Sequence, residues 1–303
     1  MTFSVTILGC GSATPSLKHF TSAQIVNVRE KLFLVDCGDG TQIQLRGCRL
    51  PFGGINHIFI SHLHGDHCFG LMGVISSFGL LGRTAPLFVY APKEFEQIFK
   101  AMLDFFCSDF PFEVVFHGFD STKQELIYDD RSVSVTTIPL KHRVPCAGFL
   151  FREKSVEDHI DRKMCDYYHV PQWEYSRIKA GGDFILEDGT VISHERLTKP
   201  AGKPRSYAYC CDTAYNPQMI EQIKGVDAMY HDCTYSAQDE SKANVYYHST
   251  TRQAALIAAQ AGVGQLIMGH FSARYPDESL LLEEAKQVFA NSVLAKEKMA
   301  VNL

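Results

Sequence analysis

The stretch SHLHGDH occupies residues 61–67, directly after INHIFI at residues 55–60. The apolar residues of INHIFI are typical of a buried β-strand. Three histidines and an aspartate fall within six residues at the end of this strand. Clustering these polar groups beside a buried strand costs free energy unless a common partner binds their lone pairs. A coordinated metal ion is the usual partner of such a cluster. The stretch therefore predicts a metal site, for which the rest of the chain must supply the missing ligands.

Further metal-binding side chains follow other strand-like runs. His142 comes after SVSVTTIPLK, Asp212 after SYAYCC and His270 after QLIMG. Because strands in α/β folds carry their reactive groups at one end, these residues are expected to converge with those of the first stretch. A single histidine after a strand would more often be structural, but seven such residues argue against that interpretation. The seven are His62, His64, Asp66, His67, His142, Asp212 and His270.

The number of candidate ligands fits two metal ions. His62, His64 and His142 can bind one ion, and Asp66, His67 and His270 can bind the other. Asp212 can bridge both, since a carboxylate has two oxygens. Imidazole and carboxylate ligands without a thiolate suit catalytic Zn²⁺, with Mn²⁺ or Fe²⁺ as alternatives. A two-zinc centre suits hydrolysis of phosphodiesters, thioesters or amides, and the ions alone do not choose among them.

Composition sets outer limits on the function. The chain has 303 residues, 46% of them hydrophobic and 21% charged, which is ordinary globular composition. Its net charge of −5 gives no support to a nucleic-acid binder that uses its whole surface, although a local basic patch stays open. The opening segment MTFSVTILGCGSATPS lacks the regions of an export signal, and no run reaches the roughly 18 apolar residues of a membrane span. Ten cysteines without a C-x-x-C pair then predict free thiols and a cytoplasmic protein.

Strand-like and helical runs alternate along the chain, which predicts an α/β layered fold. One domain is expected over residues 1–303, with a charge-rich insertion at about 152–205. The clearest helix is expected at 249–262, where Thr250 and Gln253 form a capping box and Gly262 ends the helix. The other helices are expected at 65–80 and 93–107. The strands are expected at 3–9, 22–28, 31–38, 55–61, 86–92, 132–140, 206–212, 228–232 and 265–270.

The H-x-H-x-D-H run with its downstream His, Asp and His resembles the metallo-β-lactamase superfamily, which implies an αββα sandwich. Within that superfamily, the chain resembles the ribonuclease Z family of tRNA 3′-processing endonucleases over nearly its full length. The segments that carry this resemblance are GCGSATPS (9–16), VDCGDGTQIQL (35–45), ISHLHGDHCFGL (60–71), HDCTYSAQD (231–239), YYHSTTRQAA (246–255) and GHFSARY (269–275).

The resemblance implies catalytic roles for two residues. Asp66 would bind metal and take the proton from the attacking water, and His248 would protonate the departing 3′ oxygen. Without the resemblance, His248 would be an ordinary exposed histidine before a helix cap. Asp232 stands where the family usually has a glutamate that polarises this histidine. Since aspartate is one methylene shorter, its contact with His248 could be direct, water-bridged or lost.

Three more residues receive roles from the resemblance. Ser272 and Arg274 would contact the scissile phosphate or its neighbour, the arginine through charge-assisted bonds. The alternative interpretation is that Ser272 and Arg274 belong to an ordinary surface loop in which the arginine is solvated. Asp36 would accept a hydrogen bond from a metal-binding histidine, or it would cap the turn DCGDG.

The insertion at about 152–205 corresponds to the family's flexible tRNA-binding arm. Its charges balance, so tRNA binding requires a segregated basic face, and Val170-Pro171-Gln172 stands where the family typically has a Gly-Pro motif. The resemblance also implies a homodimer. The candidate tRNA-binding residues are Arg162, Lys163, Arg177, Lys179, Lys199, Lys203 and Arg205.

Three functions compete on the sequence alone. The first is a zinc-dependent endoribonuclease that removes 3′ trailers from precursor tRNA and leaves a tRNA 3′-hydroxyl and a 5′-phosphate on the trailer. The second is a hydrolase of a small phosphodiester or an aryl sulfate. The third, a non-catalytic RNA-binding relative, is disfavoured because no metal ligand is missing.

Overall fold

Strands and helices alternate in the computed structural model, which describes residues 2–13, 16–155 and 157–303. Thr14 and Pro15 of the GCGSATPS segment and Val156 of the insertion lie outside the described residues. The strands found within those ranges are β1 (Phe3–Gly9), β2 (Ala23–Val28), β3 (Lys31–Val35), β4 (Ile55–Phe59), β5 (Leu87–Pro92), β6 (Val114–Phe119), β7 (Leu126–Asp129), β8 (Val133–Pro139), β9 (Ala147–Glu153), β10 (His159–Ile160), β11 (Phe184–Ile185), β12 (Val191–Ile192), β13 (Thr198–Lys199), β14 (Ser206–Cys210), β15 (Ala228–Asp232), β16 (Gln265–Gly269), β17 (Ser292–Leu294) and β18 (Ala300–Asn302).

The α-helices of the same described residues are α1 (Thr41–Gly47), α2 (Gly65–Cys68), α3 (Leu71–Leu80), α4 (Glu96–Phe106), α5 (Arg162–Tyr167), α6 (Tyr175–Lys179), α7 (His194–Leu197), α8 (Glu240–Tyr246), α9 (Thr251–Ala261) and α10 (Ser279–Lys286). The chain divides into two compact units. The main unit comprises the residues up to Arg152 and from Arg205 onward, and the second unit is Glu153–Pro204.

Two seven-stranded sheets form the main unit, as far as the described residues define it. The first has the order β18-β1-β2-β3-β4-β5-β6 and the second β17-β16-β15-β14-β9-β8-β7. Strands β3 to β6 pair in parallel, and so do strands β14 to β17. Strand β9 is antiparallel to β14, and Arg152 stands opposite Ser206 at the point where the second unit begins.

Apolar side chains hold the main unit together as layers. The largest core lies between the two sheets, where the rings of Phe59 and Phe149 are 5.5 Å apart. A second core packs α1, α3 and α4 on the outer face of the first sheet through residues such as Val74 and Phe99. Helix α9 packs on β15 and β16 of the second sheet. The resulting order of helix, sheet, sheet and helix confirms the αββα prediction.

Functional side chains follow the C-terminal ends of parallel strands. Asp36 follows β3, Asp212 follows β14 and His270 follows β16. All three have left-handed backbone, with φ of 56°, 59° and 59° respectively. Asp and His enter this region more readily than most residues, but each instance still costs on the order of 1–3 kcal/mol. The same strained turn therefore recurs where a strand delivers a polar side chain to the site.

Helix α9 fixes the loop that carries His248. Thr250 Oγ1 accepts from the Gln253 backbone N–H at 3.2 Å, and the Gln253 side chain accepts from the Thr250 N–H at 3.0 Å. This reciprocal pair and the left-handed Gly262 (φ 62°) confirm the predicted helix boundaries. Ser249 Oγ donates to the carbonyl of Thr213 at 2.6 Å, which ties the His248 loop to the loop after β14.

The second unit, Glu153–Pro204, has its own small core. The described part contains α5, α6, α7 and two short antiparallel strand pairs, β10–β13 and β11–β12. Cys165, Ile178 and Leu197 are fully buried in it. Asp161 caps α5 by accepting from the N–H groups of Lys163 and Met164.

Each of the nine predicted strands is present in the structure. The predicted helix at 65–80 is interrupted between α2 and α3, at Phe69 and Gly70. Strands β6, β7, β9 to β13, β17 and β18 were not predicted. None of the helices in the described ranges combines the length and apolar character needed to cross a membrane.

Candidate metal centre

Three histidines and one carboxylate oxygen surround the first of two adjacent positions. His64 Nδ1 lies 3.1 Å from His62 Nε2 and 3.2 Å from His142 Nε2. Asp212 Oδ2 lies 3.6 Å from His62 Nε2 and 3.7 Å from His142 Nε2. Two ligands of one tetrahedral zinc ion lie about 3.4 Å apart, given Zn–N distances of about 2.0–2.1 Å. These four groups could therefore hold one metal ion.

The second position lies on the other side of Asp212. Asp212 Oδ1 is 3.1 Å from His67 Nε2 and 3.1 Å from His270 Nε2, and the two nitrogens are 3.4 Å apart. Asp66 Oδ2 is 3.6 Å from His67 Nε2 and 3.4 Å from His270 Nε2. The two oxygens of Asp212 thus face two different ligand groups, which is the arrangement of a bridging carboxylate.

Hydrogen bonds at the ring nitrogen that faces away from the two metal positions orient the imidazoles, so that the other ring nitrogen points toward a metal position. His67 Nδ1 donates to Asp36 Oδ2 at 2.7 Å, and His142 Nδ1 donates to the carbonyl of Tyr247 at 2.9 Å. With its one proton on Nδ1, each of these imidazoles in its neutral form presents the Nε2 lone pair to a metal ion. Such outer hydrogen bonds fix the tautomer and orientation of metal-binding histidines.

His62 and His270 are oriented by hydroxyl groups. The Ser61 hydroxyl donates to Asp36 Oδ2 at 2.8 Å, so it accepts from His62 Nδ1 at 3.0 Å. The Thr234 hydroxyl donates to Asp232 Oδ1 at 2.6 Å, so it accepts from His270 Nδ1 at 2.8 Å. Both hydroxyls therefore link a histidine to a buried carboxylate.

Asp36 is fully buried and supports two of the histidines. It accepts from His67 directly and contacts His62 through Ser61. It also accepts from the Ser61 N–H at 2.7 Å and from the Tyr209 hydroxyl at 2.6 Å. Of the two sequence interpretations, the observed contacts are those of a histidine acceptor, since these side-chain partners lie outside DCGDG.

The electrostatics of the site favour a bound cation. Burial would lower the pKa of His67, but Asp212, Asp36 and Asp66 outweigh it and raise that pKa well above its usual value. Burial would likewise raise the pKa of Asp212, but His270, His67 and His62 hold it well below its usual range. Clustered carboxylates and directed imidazole lone pairs are the donor set of a divalent metal centre. The residues present therefore fit a two-metal site.

His248 and Asp232 form a second pair beside the candidate ligands. His248 Nδ1 donates to Asp232 Oδ2 at 2.8 Å, so the contact is direct despite the shorter side chain. Burial would lower the pKa of His248, but the charge and hydrogen bond of Asp232 raise it to about 9. The imidazole is thus held protonated at neutral pH, 5.2 Å from the ring of His270 and 5.2 Å from that of His142.

A cavity of about 390 Å³ opens over the candidate ligands. Asp66, His248 and Ser272 line it, together with Arg143 and Tyr235. Arg274 is not part of this lining, because its guanidinium lies over the ring of Tyr235 at 5.7 Å from the centroid. The structure therefore places Ser272 in the site and Arg274 behind Tyr235.

The candidate tRNA-binding residues differ in their surroundings. Arg177 pairs with Glu174 at 2.7 Å and Lys199 with Asp161 at 3.3 Å. Arg205 belongs to the main unit, where its guanidinium lies over the ring of Phe3. The remaining candidates lie in the second unit, Lys179 half-buried and the others exposed: Arg162, Lys163, Lys179 and Lys203.

The sequence analysis missed four residues that shape this site. Ser61 and Thr234 orient histidines, and both stand inside quoted motifs, beside His62 and in HDCT respectively. Tyr209 donates to Asp36 from the middle of a buried strand, where no sequence signal marks it. Arg143 directly follows His142 in the sequence and lines the cavity.

Full-length relatives identify the family. The chain is 54% identical over 301 residues to a ribonuclease Z of Bacteroides fragilis (strain YCH46), covering 99% of both chains. It is 46% identical to a ribonuclease Z of Porphyromonas gingivalis (strain W83), again over 99% of both. The chain belongs to the ribonuclease Z family. Family membership and the clustered His and Asp side chains together indicate divalent-metal binding.

Solved structures agree with this ribonuclease Z fold. Human tRNase Z, short form, superposes with a TM-score of 0.72 at 24% identity over 98% of both chains. The metallo-beta-lactamase fold protein YhfI of Bacillus subtilis superposes with a TM-score of 0.70 at 20% identity over the full length of both. Residues 3–155 also match a family model described as Anti-Pycsar protein Apyc1. That match ends before Asp212, His248 and His270, whereas the ribonuclease Z relatives span them.

Proposed function

We propose that this protein is a zinc-dependent endoribonuclease that removes 3′ trailers from precursor tRNA. The products are a 3′-hydroxyl on the tRNA and a 5′-phosphate on the trailer. One observation carries the proposal: the candidate ligands form two adjacent groups that share Asp212, and the His248–Asp232 pair lies beside them, in a ribonuclease Z family member. The decisive test is to map the cut in a labelled precursor tRNA to the nucleotide with zinc-loaded protein.

The proposed ligands of two zinc ions are the seven residues named from the sequence. Bound ions would lower the pKa of the attacking water and offset charge on the phosphate. Asp66 is positioned to take the proton from that water. Burial would raise the pKa of Asp66, but His67 and His270 hold it below its usual range, so the carboxylate is ionised at neutral pH and able to accept a proton.

His248 is the proposed general acid. The leaving group is a ribose 3′ oxygen, a poor alkoxide that departs more readily when it is protonated. Asp232 orients the imidazole and stabilises its protonated form through the 2.8 Å contact. Ser272, which lines the same cavity, is available to donate to a phosphate oxygen. Arg274 would reach the phosphate only by leaving the ring of Tyr235.

The metal content should be about two ions per chain, with zinc as the main metal. Elemental analysis of protein purified without chelators measures this directly. The physical reason is that Asp212 faces one ligand group with each oxygen. A ratio near one that does not rise on adding zinc would remove the bridging role from Asp212.

The proposed assembly is a homodimer in the cytoplasm. Support comes from the family, in which subunits pair and precursor tRNA is processed. Molecular mass in solution, measured by light scattering, tests the dimer.

The second unit is the proposed tRNA-binding arm. The net charge of the chain is −5, so attraction to phosphate must come from local lysines and arginines. Arg162 and Lys163 are exposed and adjacent at the start of α5, with no ion pair to any described residue. They are therefore the members of the arm set best placed to meet phosphate, since Arg177 and Lys199 already have carboxylate partners.

Replacing residues 153–204 with a short Gly/Ser bridge should separate tRNA cleavage from hydrolysis itself. Arg152 and Ser206 stand opposite each other across β9 and β14, so a short bridge can join them. All seven candidate ligands lie outside the segment. Hydrolysis of bis(p-nitrophenyl) phosphate should persist, while precursor-tRNA cleavage drops sharply through weaker binding. The log–log salt slope of tRNA binding should flatten by about 0.7–0.9 for each phosphate contact removed.

A charge-matched comparison controls this experiment. Arg162→Gln and Lys163→Gln, each tested as a single substitution, should weaken tRNA binding in the intact chain, whereas Lys224→Gln, which removes one exposed lysine of the main unit, should not. The shortened protein must first be shown to fold and dimerise. If it does, and still binds and cuts tRNA normally, the second unit is a surface insertion and a hydrolase of small phosphodiesters or aryl sulfates becomes the better account.

A further inference from the structure

A second cavity adjoins the metal centre, with a volume of about 600 Å³. His142 and Arg143 line both this cavity and the smaller one over the candidate ligands. Its other walls come from the loops that follow β8 and β14, with Ser121 and Thr122 on a third side. The two cavities are therefore neighbours, with His142 and Arg143 at their shared boundary.

The cavity is fixed in place relative to the metal centre because its walls are the ligand-bearing loops. The Ala214 N–H donates to the Lys141 carbonyl at 2.8 Å, and the Lys141 N–H donates to Thr213 Oγ1 at 3.1 Å. Asn216 Nδ2 donates to the Pro139 carbonyl at 3.2 Å. These bonds join the loop that carries His142 to the loop that carries Asp212.

The charge of the lining favours an anion. Among the described residues that line the cavity, none is an aspartate or glutamate, while Lys141 and Arg143 are cations. Neither cation forms an ion pair with any residue in the described ranges. By contrast, a third cavity beside Ser272 is lined by Lys18, whose ammonium already pairs with Glu278 at 2.5 Å. The chain has a net charge of −5, so these two unpaired cations make the cavity a local exception that favours an anion.

We propose that this cavity binds the first nucleotides of the single-stranded 3′ trailer, with Arg143 contacting the phosphate next to the scissile one. The inference rests on the proposed function. Grooves that bind single-stranded nucleic acid combine cations with aromatic surfaces on which bases stack, and Tyr215 lines this cavity. Arginine suits the role because its guanidinium binds phosphate through two parallel hydrogen bonds.

The volume of the cavity fits the single-stranded trailer better than it fits the tRNA on the other side of the cleavage site. Its 600 Å³ falls within the roughly 300–1,000 Å³ typical of small-ligand sites. That volume accepts an unpaired nucleotide or two but not a double helix. The acceptor stem is a double helix close to the cut, whereas the trailer continues as a single strand. The cavity therefore fits the trailer, whose bases are free to leave any stack.

Trailer length is the variable that tests this proposal. One precursor tRNA is made with trailers of one and of several nucleotides, and kcat/KM is measured for wild type and Arg143→Gln. A one-nucleotide trailer has no phosphate beyond the scissile one, so the loss in Arg143→Gln should be small there. With longer trailers the loss should grow to roughly tenfold or more, the usual effect of a hydrogen bond to a charged group.

Removing the charge of one trailer phosphate gives a second, independent test of the same contact. An uncharged methylphosphonate is placed at the first and then the second linkage of the trailer. Wild type should lose roughly tenfold with the methylphosphonate at the first linkage and little with it at the second, whereas Arg143→Gln should lose little at either, because the contact is already absent. Arg131→Gln is the matched control, since Arg131 is exposed and precedes the seven-residue strand β8, whereas Arg143 follows the other end of that strand.

The outcomes separate this inference from the proposed function. If wild type cuts no precursor tRNA, both are wrong. If wild type cuts and the loss in Arg143→Gln is the same for every trailer length, only the trailer site is wrong. Arg143→Lys should retain part of the length dependence, since the charge remains while the paired geometry is lost.

Discussion

Asp66→Ala should abolish hydrolysis of every phosphodiester tested. The substitution removes a carboxylate that lies 3.4 Å from His270 Nε2 and 3.6 Å from His67 Nε2, and with it both a proposed ligand and the proposed base. Binding of precursor tRNA should survive better than turnover, because the arm and the cavity beside Arg143 are untouched. Single-turnover cleavage and a filter-binding measurement on the same preparation give the two quantities.

The control must show that the loss is local. Asp104→Ala removes an exposed carboxylate from α4, and it should leave both quantities unchanged. Metal content should be measured in parallel, since loss of one ion would explain part of the effect. If Asp66→Ala still cleaves at more than a few per cent of the normal rate, Asp66 is not the proton acceptor.

The sequence was sufficient to predict the fold class because its strands are strongly patterned. Runs such as INHIFI are apolar enough to be buried on both faces, and the polar residues after them mark one edge of the sheet. The capping box at Thr250 and Gln253 could be predicted because both of its contacts are local. Strands such as β18, with only three residues, carry too little pattern to be detected.

The site was predictable only where its chemistry is carried by residue type. Histidine and aspartate at strand ends predict a metal centre, so the seven candidate ligands could be named from the sequence. Tyr209 could not, because its role depends on a 2.6 Å contact with Asp36, which is 173 positions away in the sequence. The Asp232–His248 contact also depends on tertiary packing, and that is why the sequence left three possibilities open.

His248→Ala should affect substrates according to their leaving group. RNA cleavage should fall by roughly 10²-fold or more, which is the usual contribution of a positioned general acid. Hydrolysis of bis(p-nitrophenyl) phosphate should fall much less, since nitrophenolate departs without protonation. His117→Ala, which removes an exposed imidazole from β6, serves as the control and should change neither rate.

The pH dependence gives a second signature of the same residue. A general acid acts in its protonated form, and Asp232 raises the pKa of His248 to about 9. Protonated His248 is therefore present at neutral pH, and RNA cleavage should decline as the pH rises through that value. The decline should be absent from the residual activity of His248→Ala. Asp232→Asn removes the charge that raises the pKa, so its decline should begin at lower pH.

The two signatures together distinguish an acid from a structural residue. If His248 only supported His270 and His142, whose rings lie 5.2 Å away on either side, its loss would disturb the metal ions and slow both substrates equally. An acid role predicts unequal losses and the disappearance of the alkaline decline for RNA alone. Equal losses on RNA and on bis(p-nitrophenyl) phosphate, with an unchanged pH profile, would therefore assign His248 to the support of the metal centre.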